Sequence, residues 1–160
     1  MLSTVPTQRV LCSAGTLESV TNVGEQPYSE LTARIQDAAR ACAVDSLADL
    51  AGEITYSFGG GDDFAGHLLD LERRDTRITR QLVLMLERPG TPVIEGSGWA
   101  WPAAATVGWD EVTDEMKDEL RRLGYTDADL DGFADFGAYI GYRVFISADG
   151  EDWQAFVAGD

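Results

Sequence analysis

The alternation of apolar and polar residues places one strongly apolar stretch near the middle of the chain. Residues 82–86 (LVLML) form the longest purely apolar run, and Pro89-Gly90 follows as a type II turn signal in which glycine takes the positive φ. A short apolar run that ends at a turn is typical of a strand buried on both faces. We therefore predict a central hairpin in which residues 93–101 return antiparallel to residues 82–86.

Other stretches predict a second hairpin and a series of helices. Residues 53–58 alternate and predict a strand with one polar face, while residues 140–146 and 153–157 predict a closing hairpin that turns at Asp149-Gly150. Apolar side chains spaced three and four positions apart indicate amphipathic helices. The predicted helices cover residues 29–42, 45–51, 62–71, 110–123 and 126–137.

Hairpins separated by helices predict an α+β fold. We expect a single domain at residues 29–160, with a twisted, mostly antiparallel sheet of about five strands and helices packed on one face. Residues 1–28 would form an N-terminal arm. The opening order, helix-helix-strand-helix-strand-strand, is similar to that of the NTF2-like folds, and this resemblance implies a cone-shaped ligand pocket. The two acidic helices before the last hairpin depart from that pattern.

The net charge of the chain says more about its function than any motif does. The chain has 28 acidic and 12 basic residues, a formal net charge of −16, and residues 81–160 hold 16 of the acids but 5 of the bases. Such a chain repels nucleic acids and anionic membranes and attracts basic proteins. We therefore predict a basic protein partner, with no direct nucleic-acid binding and no membrane association. Salt adaptation or a genome-wide composition bias would produce the same acidity and is the alternative.

The helix predicted at residues 110–123 concentrates these charges. Its apolar stripe faces inward, so its carboxylates would face solvent and steer a basic partner toward the surface. The predicted partner-binding residues are Asp110, Glu111, Asp114, Glu115, Asp118 and Glu119.

A second acidic stretch, residues 127–135 (DADLDGFAD), begins like an EF-hand calcium loop. Its carboxylates at ligand positions are Asp127, Asp129, Asp131 and Asp135. Position twelve is Ala138, where the loop needs a bidentate glutamate. Thr126 and the aspartate three residues later instead resemble a helix capping box. We predict a helix, with the calcium site as the alternative.

An aromatic cluster gives a small-molecule alternative. On the strand predicted at residues 93–101, Glu95, Trp99 and Trp101 share one face, and Tyr56 of the preceding strand could lie opposite. An aromatic cavity with one acid would suit a small apolar or cationic ligand, in a binding protein or a small enzyme. The alternative for these side chains is that the tryptophans fill the core.

Evidence for catalysis is weaker. His67 is the one histidine of the chain, and Asp63 and Asp70 lie four residues before it and three after it. These carboxylates could orient the ring for acid–base chemistry, but no nucleophile motif accompanies them. A histidine on a helix surface is the simpler interpretation. No motif calls for a cofactor, and a non-catalytic interaction protein remains the leading hypothesis.

The two cysteines, Cys12 and Cys42, are too few for a disulfide framework, and we predict reduced thiols. The amino terminus lacks both the basic region and the continuous apolar region of a signal peptide. No apolar run approaches the ~20 residues of a transmembrane helix. These features together predict a cytoplasmic protein.

Overall fold

A computed structural model describes residues 12–17, 26–51, 55–56, 64–74, 77–93 and 96–158. Within these ranges the chain forms six α-helices and five β-strands. The helices are α1 (Ser29–Arg40), α2 (Val44–Ala51), α3 (Phe64–Arg73), α4 (Ile78–Leu86), α5 (Asp114–Arg122) and α6 (Asp127–Phe136). The strands are β1 (Thr55–Tyr56), β2 (Thr91–Pro92), β3 (Gly98–Trp101), β4 (Arg143–Ser147) and β5 (Trp153–Val157).

The strands form one sheet in the order β1-β5-β4-β3-β2. Four of them, β2 to β5, pair antiparallel, and the two-residue β1 runs parallel to β5. One face of the sheet joins the helices in a common core that includes Trp101, Val144, Ile146 and Phe156. The α+β fold with a mostly antiparallel sheet is therefore confirmed. The closing hairpin is confirmed as well, because β4 and β5 pair around a turn in which Gly150 has φ 79°.

The central hairpin predicted at residues 82–101 is wrong, because residues 82–86 belong to helix α4. All five of these side chains are buried, as are Ile78 and Thr79 at the start of the helix. Residues 82–86 are apolar on every side of the helix and must lie inside the protein, and α4 is packed by α1, α3 and the 3-10 helix Ser13–Thr16. A five-residue apolar run has no periodicity that separates a buried helix from a buried strand.

The return segment does form strand β3, but β3 pairs with β4 and the short β2. Gly90 also differs from the prediction, because its φ is not positive. Glycine is required there for space: a Cβ at this position would lie 2.6 Å from the ring of Trp101. The same reason applies to Gly98, where a Cβ would lie 2.3 Å from the carbonyl oxygen of Ile146.

The start of α4 is capped by a side chain from another helix. Arg77, the residue before α4, has left-handed backbone geometry and makes no side-chain cap. Glu72 of α3 accepts hydrogen bonds from the backbone N–H of Thr79 (2.8 Å), from its hydroxyl, and from the backbone N–H of Ser13 (3.0 Å). A carboxylate is favoured at the positive end of a helix. Glu72 therefore also fastens the segment around Ser13 to the core.

Cys12 and Cys42 form a disulfide, so the prediction of reduced thiols is wrong. Cys12 is buried just before the 3-10 helix, Cys42 follows the end of α1, and their Cα atoms are 5.2 Å apart, within the disulfide range. Thirty residues separate the two cysteines along the chain, and the packing of the Ser13 segment brings them together. The rest of the predicted arm, residues 1–11 and 18–25, lies outside the described residues.

Reduction of this disulfide should lower the free energy of unfolding by about 3–4 kcal/mol, because the bond closes a 30-residue loop in the unfolded chain. Urea denaturation with and without a phosphine reductant measures the difference. The double variant Cys12→Ser/Cys42→Ser is the control and should be insensitive to the reductant. Equal stability of the oxidised and reduced wild-type protein would contradict the bond.

Candidate interaction surface

The predicted acidic helix at residues 110–123 is shorter than expected. Residues Trp109–Glu111 form a separate 3-10 turn, and α5 begins at Asp114. Thr113 has extended backbone geometry, and its hydroxyl accepts the N–H of Met116 at 3.2 Å, which is an N-cap. The prediction that Asp110 and Glu111 belong to this helix was therefore wrong, because the cap at Thr113 starts the helix after them.

The six predicted partner-binding carboxylates divide into two groups. Asp118 forms an ion pair with Arg121 at 2.7 Å, and Glu119 is partly buried. The other four are exposed, and none of them forms an ion pair with a residue that the structure describes. These four are Asp110, Glu111, Asp114 and Glu115. Most of the predicted surface is therefore not neutralised by the described arginines of this chain.

Helix α5 is attached to the core helix α4 through Arg122. The guanidinium donates to the carbonyl oxygen of Leu84 at 2.6 Å and pairs with Glu87 at 3.0 Å. The last carbonyl groups of a helix lack partners within it, and a cation is favoured there. The Leu84 carbonyl accepts the backbone N–H of Glu87 at 3.3 Å, and Arg122 adds a charged donor to it. Leu120 and Leu123 of α5 are buried. The acidic side of α5 is thereby held outward.

Glu119 lies at the inner edge of α5. Burial raises the pKa of its carboxyl, and the positive charges of Arg88 and Arg122 oppose that rise without cancelling it. Its buried Oε1 accepts no hydrogen bond within the described part of the chain. A half-buried carboxylate with an unsatisfied oxygen destabilises the folded state when it is ionised.

Residues 127–136 form helix α6, as predicted from the capping box. The Thr126 hydroxyl accepts the N–H of Asp129 at 3.1 Å, and the Asp129 carboxylate accepts the N–H of Thr126 at 2.8 Å. Leu130 and Phe133 are buried, as a helix requires. Within the described ranges no group of three or more potential ligand residues could hold a metal ion. The acids of this stretch thus belong to a helix surface.

A network of tyrosines fixes α6 relative to the sheet and to α4. The Tyr125 hydroxyl lies 3.3 Å from Gln81 of α4 and accepts the N–H of Tyr142 at 3.1 Å. The Tyr139 hydroxyl donates to the carbonyl oxygen of Tyr142 at 2.6 Å. Gly141 is needed here, because a Cβ would lie 2.2 Å from the Tyr125 hydroxyl. Sequence reasoning missed this network, whose members do not share a periodic pattern.

The two acidic helices meet at their ends and enclose a small groove. Arg121 of α5 pairs with Asp127 of α6 at 2.9 Å. The groove has a volume of about 220 Å³, and Lys117 lies over the Trp109 ring on its α5 side, 5.9 Å from the ring centre. We call residues 109–137 the acidic segment. Its exposed carboxylates are Asp110, Glu111, Asp114, Glu115, Asp118, Asp127, Asp129, Asp131 and Asp135.

The predicted aromatic cavity is arranged differently from the expectation. Trp99 and Trp101 do share one face of β3, but the Tyr28 ring packs edge-on against both, with ring centres 5.0 and 4.9 Å apart. Trp101 is fully buried, and its indole N–H donates to the carbonyl oxygen of Arg88 at 2.8 Å. These contacts support the alternative that the tryptophans fill the core. Glu95 and the Tyr56 side chain lie outside the described residues.

The candidate acid–base residues are spread along and before α3. His67 lies on α3 and is partly exposed, whereas Asp63 lies outside the described residues. Asp70 forms an ion pair at 3.1 Å with Arg74, the residue after the end of α3. Asp70 therefore has an ion-pair partner other than His67. Catalysis at His67 remains a prediction.

Comparison of this chain with protein-family models, with characterised proteins and with solved structures found no match. Among the described helices, none has both the length and the apolar character needed to cross a membrane.

The substitution Glu119→Gln should stabilise the protein at neutral pH. A raised pKa in the folded state means that the stability contributed by the protonated form is lost as pH rises through that pKa. At pH values above the raised pKa of Glu119, the melting temperature of the variant should exceed that of wild type. The difference should vanish at pH values below the ordinary glutamate pKa of about 4.3. Thermal melts between acidic and neutral pH measure it.

The control for this experiment is Glu111→Gln, which removes one charge from an exposed side chain on the turn before the same helix. A similar gain in both variants would show that the effect comes from net charge and not from the burial of Glu119. A wild-type protein more stable than Glu119→Gln at neutral pH would contradict the assigned pKa direction.

Proposed function

We propose that this protein is a non-catalytic interaction protein whose acidic segment binds a basic protein partner, in an inhibitor, immunity-type or nucleic-acid-mimic role. One observation carries the proposal. Seven of the nine exposed carboxylates of the segment form no ion pair with a described residue, while Asp118 and Asp127 share Arg121. Complementary charge of this kind accelerates association and selects basic partners.

The arrangement also works against the stability of the free protein. Asp131 and Asp135 lie four residues apart on α6, where like charges repel each other by a few tenths of a kcal/mol. This pair is not needed to cap the helix or to fill the core. A basic partner would relieve this repulsion, which gives the unpaired carboxylates a use that the fold does not supply.

Neutralising three carboxylates of the segment should weaken binding to a basic probe. The variant is Asp110→Asn/Asp114→Asn/Glu115→Gln, and the probe is an oligo-arginine peptide measured by titration calorimetry. Each exposed ion pair contributes roughly 0.2–1 kcal/mol, so the affinity at low salt should fall by about 3- to 100-fold. The loss should shrink at physiological salt, because salt screens exposed charges.

A matched control separates a localised site from overall charge. The variant Asp37→Asn/Asp45→Asn/Asp49→Asn removes three exposed carboxylates on or beside α1 and α2, so its net charge equals that of the first variant. It should bind the peptide nearly as wild type does. Equal losses in both variants would show that only net charge matters, which would favour the alternative that the acidity serves salt adaptation or solubility.

The disulfide bears on where this binding takes place. The cytoplasmic location predicted from the sequence assumed reduced thiols, whereas disulfides persist mainly in oxidising compartments. We propose that the protein acts outside the reducing cytoplasm. Alkylation of rapidly acid-quenched native cells with a mass-tagged maleimide should leave Cys12 and Cys42 unlabelled until a reductant is added. Full labelling without a reductant would show that both thiols are reduced, which would contradict a location outside the reducing cytoplasm.

A further inference from the structure

The outward side of α6 carries features that charge alone does not explain. Phe136 is 53% exposed, and within the described ranges it is the one large apolar side chain that lies mainly in solvent. It follows Phe133 by three residues, so it lies at the edge of the inward stripe formed by Leu130 and Phe133. Large exposed aromatic side chains beside polar groups are typical of protein–protein contact sites, where they act as anchors.

A glycine lies one turn before this phenylalanine. Gly132 is in the interior of α6, where glycine is among the least favourable residues. A Cβ at this position would meet no described atom within 4 Å, so packing within the described chain gives no reason for glycine. Close approach of another backbone is a common reason for such a residue. The missing side chain thus points to a partner that comes close to α6.

These features form one stripe. Ala128, Gly132 and Phe136 follow each other at intervals of four, so they share one side of the helix, and all three are exposed. Asp135 is exposed alongside them, and the exposed Asp131 also lines the groove between α5 and α6 with Lys117 and Arg121. Neither aspartate forms an ion pair with a described residue. The stripe thus combines two small exposed residues with an aromatic anchor, and negative charges lie beside it.

We propose that this outward side of α6 docks an amphipathic basic helix of the protein partner, with Phe136 in an apolar pocket, the partner backbone close to Gly132, and lysine or arginine side chains on Asp131 and Asp135. Charge complementarity selects this occupant. A second copy of the same chain is disfavoured, because each copy carries a net charge of −16 and would present the same carboxylates. The proposal rests on the proposed function and specifies its partner.

Three synthetic peptides of about 18 residues, or five helical turns, test the proposal. The first has leucine and lysine arranged as an amphipathic helix, the second has the same composition in a scrambled order, and the third is an oligo-lysine of equal net charge. Fluorescence anisotropy gives the dissociation constants for wild type and variants. Burial of one aromatic side chain predicts that the amphipathic peptide binds roughly tenfold or more tightly than the other two.

Two variants remove the stripe without neutralising any carboxylate. Phe136→Ser deletes the anchor, and Gly132→Leu fills the point of close approach with a side chain that has room in the free protein. Both should weaken binding of the amphipathic peptide roughly tenfold and leave oligo-lysine binding unchanged. Gly132→Leu should retain or raise the melting temperature, which separates its effect from unfolding. Ala41→Leu, an exposed substitution beside α1, is the control and should bind as wild type.

The outcomes distinguish this proposal from the proposed function. Equal affinity for all three peptides, or an amphipathic peptide unaffected by Phe136→Ser and Gly132→Leu, would overturn docking at α6 while leaving a charge-selected partner. No binding of any basic peptide at low salt would overturn both. Concentration-dependent dimerisation in sedimentation that Phe136→Ser abolishes would assign the stripe to a second copy and overturn the proposed occupant.

Discussion

The burial of helix α4 is the constraint on which the rest of the structure depends. The last five residues of α4 are apolar and buried in every direction, so this part of the helix needs cover on all sides. Polar groups must come from neighbouring elements to satisfy its ends. Glu72 caps the start of α4 by accepting a backbone N–H. Near the end of the helix, Arg122 donates to the Leu84 carbonyl, and the Gln36 amide donates to the Val83 carbonyl at 3.2 Å. Each of these bonds also places another element of the fold.

This constraint leads directly to the acidic segment. Arg122 belongs to α5, so the bond that completes α4 also fixes which side of α5 faces the core. Gln81 of α4 similarly meets Tyr125, at the beginning of the connection to α6. The inward sides of both helices are thereby used for packing, and nearly all of their carboxylates are left on the outside. The surface charge is thus presented by a rigid scaffold, which favours selective binding because little order must be created on association.

Local signals in the sequence were sufficient where the chemistry is local. The Thr126 capping box and the Leu130–Phe133 spacing predicted α6 against the competing calcium loop, because both depend on neighbours three or four residues away. The closing hairpin was predicted for the same reason. The prediction for residues 82–86 was wrong because five consecutive apolar residues are equally compatible with a helix and a strand. Which of the two forms depends on elements far along the chain.

The same limit explains the remaining differences at the site and the disulfide. Whether Trp99 and Trp101 line a cavity or a core depends on Tyr28, more than 70 residues earlier in the sequence. The Cys12–Cys42 bond depends on how the Ser13 segment packs against α3 and α4. The exposed carboxylates were largely predictable, since charge seeks solvent, but the Gly132–Phe136 stripe was recognisable only once the inward side of α6 was known.

Hydrogen–deuterium exchange of the protein with and without a saturating arginine-rich peptide at low salt locates the bound peptide. We expect slower exchange for backbone amides in residues 109–137 when the peptide is bound, and unchanged exchange in α1 and α2, whose exposed carboxylates are equally available to a non-specific cation. Protection confined to α1 and α2, or spread evenly over the described surface, would contradict a binding site on the acidic segment.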